Sequence, residues 1–403
     1  MQKLIGVAAM TVASIALVAC GGEGAEGEVE DIVIGAVHPL SGALAGAGTT
    51  MSHAAEMAVK DLNEAGGIEC LDGAQLRLAA GDSKGAAATG QSEAQRLIDE
   101  GSVALVGTYQ SDVTQNVSAV AERAGVPLVI DVAVDDAILE QGYKNTFRIQ
   151  PNATSMGTDG GAALLKMAEE NGQSIDKVSY IHVEGAFGQS VFDAFEAEAQ
   201  SAGVDVEEIT YSPANFSDAT TVVRQAASGN PDVILATGYY PDGLLIAKAV
   251  QQLNPDIQAV YGIANGAFDN GPFPSDAGPA GEGVLSANYH YDANDERVQD
   301  IRKRFQERYN EPMETAAVLT YQAVEVIKAA LDQACSDDPM EVRNAIADIE
   351  IEDPLLAFDG PIVFDETGQN ENATVIAMQV LDEKIEQVYP AEFKAADLAY
   401  PAK

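Results

Sequence analysis

From residue 31 onward the chain alternates short β-branched apolar runs with amphipathic stretches of helical period, which is the pattern of parallel strands joined by crossover helices. A first set of runs at 32–37, 76–80, 103–107 and 126–130 predicts strands, with helices near 48–64, 86–100 and 112–124 between them. Gly66-Gly67 supplies the stop of the first helix. A second set begins after Phe147-Arg148-Ile149-Gln150-Pro151, with strands at 178–183, 204–209, 233–236 and 259–263 and helices near 154–170, 189–202, 217–228 and 242–253. Two similar arrays predict two α/β lobes, each a doubly wound, Rossmann-like sheet, and not one closed barrel. A run at 284–289 predicts one more strand, followed by helices near 294–309, 314–334 and 339–348. Antiparallel strands at 361–364, 374–381 and 384–388 close the chain as a sheet edge.

The first twenty residues follow a different rule. Lys3 is followed by an apolar run from Leu4 to Leu17 and then Val18-Ala19-Cys20. This run is shorter than the roughly 20 residues that cross a bilayer core, so it reads as a secretory signal peptide (residues 1–20) and not as a membrane span. Leu17-Val18-Ala19-Cys20 resembles a bacterial lipobox, in which the cysteine is diacylated at sulfur and becomes the first residue after cleavage. Residues 21–31, rich in Gly, Ala and Glu, then read as an acidic tether. The expected location is extracytoplasmic, with the folded body hung from a lipid bilayer through acylated Cys20.

Charge narrows the partners. Lys and Arg number 22 against 63 Asp and Glu, a net charge of −41, which repels a phosphate backbone and argues against nucleic acid as a partner. With 403 residues, 46% of them apolar, there is ample material for sizeable cores. Beyond Cys20 there are two cysteines, Cys70 and Cys335, which in an oxidising compartment are either a disulfide or two buried free thiols.

Reactive constellations are missing from the pattern. His38, His53, His182 and His290 have no metal-ligand spacing, and the chain contains no GxSxG elbow, Walker A loop or GxGxxG fingerprint. Gly42, Gly46 and Gly48 follow the first strand at the wrong spacing for a phosphate loop. The reading is therefore of a non-enzyme without metal or cofactor. Small, polar and aromatic residues concentrate instead just after strand ends, where open α/β sheets bind ligands. These segments are 39–42, 108–111, 131–135, 184–189, 238–240 and 264–266. Ser111 is suited to cap a helix beginning at Asp112, whose free N–H groups could hold a carboxylate.

Four segments together resemble the leucine/isoleucine/valine-binding family of ABC transporter substrate-binding proteins, of type I periplasmic binding protein fold. They are Ile34-Gly35-Ala36-Val37-His38-Pro39-Leu40-Ser41-Gly42, Asp61-Leu62-Asn63-Glu64-Ala65-Gly66-Gly67-Ile68, Ala121-Glu122-Arg123-Ala124-Gly125-Val126-Pro127-Leu128 and Phe147-Arg148. The resemblance spans nearly all of residues 31–390. It implies two lobes joined by three crossovers that close over a ligand, here 32–150 plus 284–355 and 151–283 plus 356–403.

By motif position, the resemblance implies first-lobe ligand contacts at Ser41, Tyr109, Gln110, Ser111 and the backbone around Ala133, with the Ser111 region holding an amino-acid carboxylate. In the second lobe it implies Phe187, Tyr239 or Tyr240, and Asn265. The family's amino-acid binders tend to carry an acid for the ligand ammonium at this last position, whereas this chain reads Ala264-Asn265. Either Asp131, Glu184 or Asp242 substitutes, or the ligand lacks an α-ammonium. Phe187, Tyr239 and Tyr240 either sandwich an apolar or aromatic group or fill core.

The function implied is capture of a small polar solute, such as a branched-chain or other amino acid or a related carboxylate or amide. A monomeric receptor would deliver it to an ABC permease. The alternative is a ligand sensor of the same fold that signals to a membrane partner.

Overall fold

The computed structural model describes residues 31–214 and 216–402. The expected signal peptide, the lipidated Cys20 and all of the tether but Asp31 lie outside the described residues. Among the described residues no helix is long and apolar enough to cross a membrane.

The first array folds as expected. Strands β1 (Ile32–His38), β2 (Leu76–Asp82), β3 (Ser102–Gly107), β4 (Leu128–Ile130) and β5 (Thr146–Arg148) form an all-parallel sheet in the order β2-β1-β3-β4-β5. Helices α1 (Ala45–Glu64), α2 (Ala87–Asp99) and α3 (Ser111–Ala124) make the crossovers. All seven residues of β1 are buried, because helices cover both faces of the sheet and leave no solvent side to be polar. Residues 146–148, read only as a boundary, add the fifth strand, since Thr146 to Arg148 pair with Leu128 to Ile130.

The second array builds a larger sheet. Its parallel strands are β6 (Lys177–Val183), β7 (Asp205–Tyr211), β8 (Val233–Thr237) and β9 (Ala259–Ile263), with helices α4 (Ala153–Glu170), α5 (Ala186–Ser201), α6 (Thr220–Ser228), α7 (Tyr240–Leu253) and the short α8 (Phe273–Ala277). Strand β10 (Leu285–Asn288), assigned from the sequence to the first lobe, instead pairs with β9, so the lobe boundary expected at residue 284 moves beyond Asn288. The reason is tertiary: β10 is fully buried and its register places Leu285 beside Tyr261 on the edge that β9 would otherwise leave open.

The chain then returns to the first sheet as α9 (Glu296–Tyr309), α10 (Thr315–Ala334) and α11 (Pro339–Ala347), with α10 packed on α1 and on β3 and β4. A short pair, β11 (Glu350–Ile351) and β12 (Ile362–Val363), leads to the antiparallel edge strands β13 (Ile376–Leu381) and β14 (Lys384–Tyr389). The seven-stranded order is β14-β13-β10-β9-β8-β6-β7.

Three crossover segments thus join the sheets, and they are tied to one another. Arg148 N–H donates to Gly368 O at 2.8 Å and Asn370 N–H donates to Arg148 O at 2.9 Å, while Ala357 N–H donates to His290 O at 3.0 Å. The buried Arg148 guanidinium donates through Nε to Gln369 Oε1 at 2.7 Å and through Nη1 to Asp135 O at 2.8 Å. Burial lowers its pKa to about 10, against the attraction of Asp136, Asp135 and other nearby acids.

Candidate ligand-binding cleft

The carboxyl ends of the two sheets face each other, and the loops that leave them line two connected chambers. The smaller, about 40 Å³, is walled from the first sheet by Tyr109, Ser111 and residues 132–134 and from the second by Phe187, Tyr239 and Ala264. The larger, about 390 Å³, lies beside it and shares Tyr109, Gly266, Asn288 and Tyr289 with it. A volume of this order suits a small solute.

Local chemistry explains how each wall is held. Gly107 ends β3 at φ +131°, and a Cβ there would come within 2.5 Å of Val37 O, so only glycine lets the chain turn this closely past β1 to present Tyr109. Gly188 plays the matching part in the second lobe: a Cβ would lie 1.9 Å from Val183 O, so its absence lets α5 start tight against the end of β6 with Phe187 on the cleft.

Tyr239 precedes α7, and its N–H donates to Asp242 Oδ2 at 3.2 Å, while the Tyr211 hydroxyl donates to the same oxygen at 3.0 Å. The Tyr239 ring lies 5.8 Å from that of Tyr109 and 5.5 Å from that of Phe187, centroid to centroid. Burial raises the pKa of both tyrosines well above the usual phenol range, so both are neutral donors at physiological pH.

The carboxylate cradle differs in one detail from the sequence reading. Helix α3 begins at Ser111, one residue early, so Ser111 occupies its first turn and Gln110 the cap position, without a side-chain cap hydrogen bond. Ser111 Oγ accepts from Asp135 N–H at 3.4 Å. The leading N–H groups of α3 are thus left uncapped by side chains beside the small chamber, an arrangement that favours an anion. Ala133 is also on this wall, held by Gln150 Nε2 donating to its carbonyl at 2.9 Å.

The other expected contacts fall elsewhere. Ser41 is exposed and donates to Asp82 Oδ2 at 2.6 Å, which pins the turn after β1 rather than lining either chamber. Asp131 is fully buried, 2.8 Å from His38 Nε2 and accepting from Thr320 Oγ1 at 2.8 Å, and it lines neither chamber. Asn265 is also fully buried, donating to Ala236 O at 3.2 Å and accepting from Ala267 N–H at 3.0 Å. It packs under α7, where a Cβ on Gly243 would meet its Oδ1 at 2.4 Å. Asn265 likewise lines neither chamber, both polar atoms of its amide being taken up by the backbone, while Asp131 is held through Oδ2 by His38 and Thr320. Gln110 is half-buried, its Nε2 3.4 Å from Gly85 O, and Tyr240 joins the larger chamber alone, donating to Asp276 Oδ2 at 2.6 Å.

Of the substitute acids named from sequence, Asp242 is spent on capping and Glu184 is exposed outside both chambers. The acids that do line the larger chamber are Asp269, Asp276, Glu311 and Glu314. Asp269 lies in the loop after β9, four residues beyond Asn265, and its place in that loop was its only sequence signal. Glu314 comes from the start of α10, where nothing in the sequence marks it. Burial pushes the Asp269 carboxyl up to about 7, with repulsion from Glu314, against hydrogen bonds from its own backbone and Asn288. Among the described residues no group of His, Cys, Asp and Glu is arranged to hold a metal ion.

Cys70 and Cys335 come together on the surface, Cys335 Sγ 3.2 Å from Cys70 O. Both are exposed thiols, so the alternative of two buried thiols is corrected: the turn Glu69–Leu71 and the end of α10 meet at the protein's edge.

Two α/β lobes with aromatic and helix-terminal groups facing across an interlobe cleft define a two-lobed solute receptor. The sequence matches the periplasmic binding protein family model over residues 31–384, and the chain belongs to that family, whose members bind solutes and are not enzymes. It is 29% identical over 382 residues to a Leu/Ile/Val-binding protein homolog of Brucella abortus, covering 92% of this chain and 93% of the relative. The fold matches the branched-chain amino acid transporter substrate-binding protein LivJ of Streptococcus pneumoniae, solved with isoleucine, at TM-score 0.77 and 22% identity, over 90% of this chain and 100% of that one. It matches equally, at TM-score 0.77 and 21% identity over 92% and 96% of the two chains, an ABC transporter solute-binding protein of R. palustris solved with benzoate.

Proposed function

We propose that this protein is the extracytoplasmic receptor of an ABC transporter, capturing a small solute in the interlobe cleft and delivering it to the membrane permease. The observation that carries the reading is the cleft itself. Tyr109 from one sheet faces Phe187 and Tyr239 from the other across a chamber bordered by the uncapped start of α3. Ligand-binding residues are Tyr109, Ser111, Ala133, Phe187 and Tyr239 at the small chamber and Tyr240 at the larger, with Gln110 setting the turn into α3. The solute carries a carboxylate or comparable acceptor that lies at the N–H groups of α3, as in an amino acid.

Family membership and the Leu/Ile/Val-binding relatives favour delivery over signalling. The receptor acts as a monomer and is tethered through a lipid on Cys20, a reading supported by the Leu17-Val18-Ala19-Cys20 pattern. Thermal unfolding of the full chain against amino acids, carboxylates and amides tests the proposal. A bound solute at about 1,000 times its Kd stabilises the native state by about 4 kcal/mol and raises Tm, and no shift with any of them overturns the reading.

A further inference from the structure

The larger chamber has a one-sided charge. Asp269, Asp276, Glu311 and Glu314 line it and no Lys or Arg does. Two of these acids already have partners: Asp276 accepts from the Tyr240 hydroxyl, and Glu311 lies 2.6 Å from His53 Nδ1. The other two have no cation in contact. Asp269 is only 8% exposed and takes part in no salt bridge among the described residues. Glu314 accepts from Gly271 N–H through Oε2 at 2.8 Å, while its buried Oε1 has no hydrogen-bond partner.

Arg302 attracts Glu314 from beyond contact distance, but it lies over the Tyr291 ring at 3.8 Å and donates through Nε to Met313 O. A second, independent vacancy is present on the same wall: Thr315 is 8% exposed, lines the chamber, and its Oγ1 has no partner. Three tyrosines, Tyr109, Tyr240 and Tyr289, complete the lining beside alanines and prolines.

Buried carboxylates without a counter-charge are costly, and a fold retains them most readily where an incoming group neutralises them. Tyrosine faces and an orphan hydroxyl suit the same visitor, because a cation is attracted to aromatic faces and an N–H donor satisfies Oγ1. We infer that the larger chamber receives a positively charged nitrogen group of the solute, an ammonium or guanidinium, at the Asp269 and Glu314 carboxylates. The inference rests on the receptor reading above and names the solute class within it: a cationic solute such as a basic amino acid, its carboxylate at α3 and its charged end in the acidic chamber. Asp269 lies four residues beyond Asn265 in the loop after β9, and its carboxylate is on the chamber wall where the Asn265 amide is not.

Isothermal titration of the full chain with L-arginine, L-lysine, L-leucine, L-isoleucine and benzoate decides it. Arginine or lysine is expected to bind at least tenfold tighter than the three solutes without a cationic side chain. Asp269→Asn and Glu314→Gln, both close to isosteric, are each expected to weaken that binding tenfold or more while circular dichroism and a cooperative melt report an intact fold. If either variant fails to fold, the wild-type ranking and its weakening at raised salt still decide. Tighter binding of leucine, isoleucine or benzoate overturns the inference and leaves the receptor reading standing. Silence from all five overturns the inference, and the receptor reading then stands or falls on the wider panel of carboxylates and amides.

Discussion

The Tyr109 and Tyr239 rings lie 5.8 Å apart across the cleft, one carried by the loop after β3 and the other by the loop after β8, so a single aromatic contact joins the two sheets. Closure and solute contact therefore use the same side chains: whatever separates the lobes also dismantles the wall of the small chamber.

Tyr239→Ala removes the ring that touches both Tyr109 and Phe187. Affinity for the transported solute is expected to fall about tenfold or more, equivalent to about 1.4 kcal/mol, with little change in the melting temperature of the solute-free protein. Calorimetric titration beside a thermal melt separates the two effects, and unchanged affinity would remove Tyr239 from the site.

Asp269 gives the cleft a pH dependence whose sign can be worked out. Its carboxyl is raised to about 7 in the fold, above its ordinary value in the unfolded chain. The unfolded chain therefore releases this proton first, and the solute-free protein loses stability as pH rises from about 4 to 7 and levels off above that. The groups that face Asp269 are Glu314, Asn288 and the tyrosines at 109, 289 and 291, and the three phenols stay neutral throughout this window. Asp269→Asn is expected to flatten that slope and to raise the neutral-pH stability by about 1–3 kcal/mol, read from urea unfolding at pH 5 and 7.5. For a cationic solute the sign is opposite: wild-type affinity falls as pH drops from 7 towards 5, because the proton competes with the solute.

Arg148 ties the first crossover to the third through Gln369 and to the loop after β4 through Asp135 O. Arg148→Ala empties a buried site, leaves Gln369 Oε1 without its donor and leaves Asp135 O only the longer bond from Ile138 N–H at 3.3 Å, and is expected to cost about 3 kcal/mol. Lysine is not expected to rescue it, because a single ammonium cannot reproduce a forked guanidinium. The urea midpoints of the two variants check both statements.

Cys70 and Cys335 are neighbours 265 positions apart in the chain, and the side-chain hydrogen bond the two thiols share, which holds the proton on Cys70, pushes its thiol up to about 11. So little thiolate at neutral pH makes uncatalysed oxidation slow. With an oxidant and a disulfide catalyst the pair is expected to close, stabilising the fold by about 2–4 kcal/mol. Non-reducing peptide mapping and the shift in Tm measure this, and a reduced pair under those conditions would count against it.

Cys20→Ser is expected to move the protein from the membrane pellet to the soluble fraction on ultracentrifugation. If the variant still pellets with membranes, the cysteine is not the anchor.

Sequence periodicity by itself determined the α/β class, most element positions and the two arrays, and the family was marked by the resemblance of four motif segments. Burial on both faces of β1 requires an unbroken apolar run, and such runs are legible one at a time. That Tyr109, Ser111, Ala133, Phe187 and Tyr239 line a cleft was legible as well, because each follows a strand end, where the chain must leave the sheet.

Tertiary structure alone decided the rest. Whether β10 joins the first or the second sheet depends on which open edge it meets, and nothing in Leu285 to Asn288 encodes that edge. Ser41, Asp131 and Asn265 have the right residue types at the right strand ends, yet their polar atoms turn to Asp82, His38 and the backbone at Ala236, because hydrogen-bond partners from distant segments reach them first. Asp269 and Glu314 lie 45 positions apart and acquire meaning only when the second crossover brings the start of α10 beside the loop after β9. Charge in a cleft is a property of assembled surfaces, and a linear pattern with 63 acids cannot say which of them will be buried without a partner.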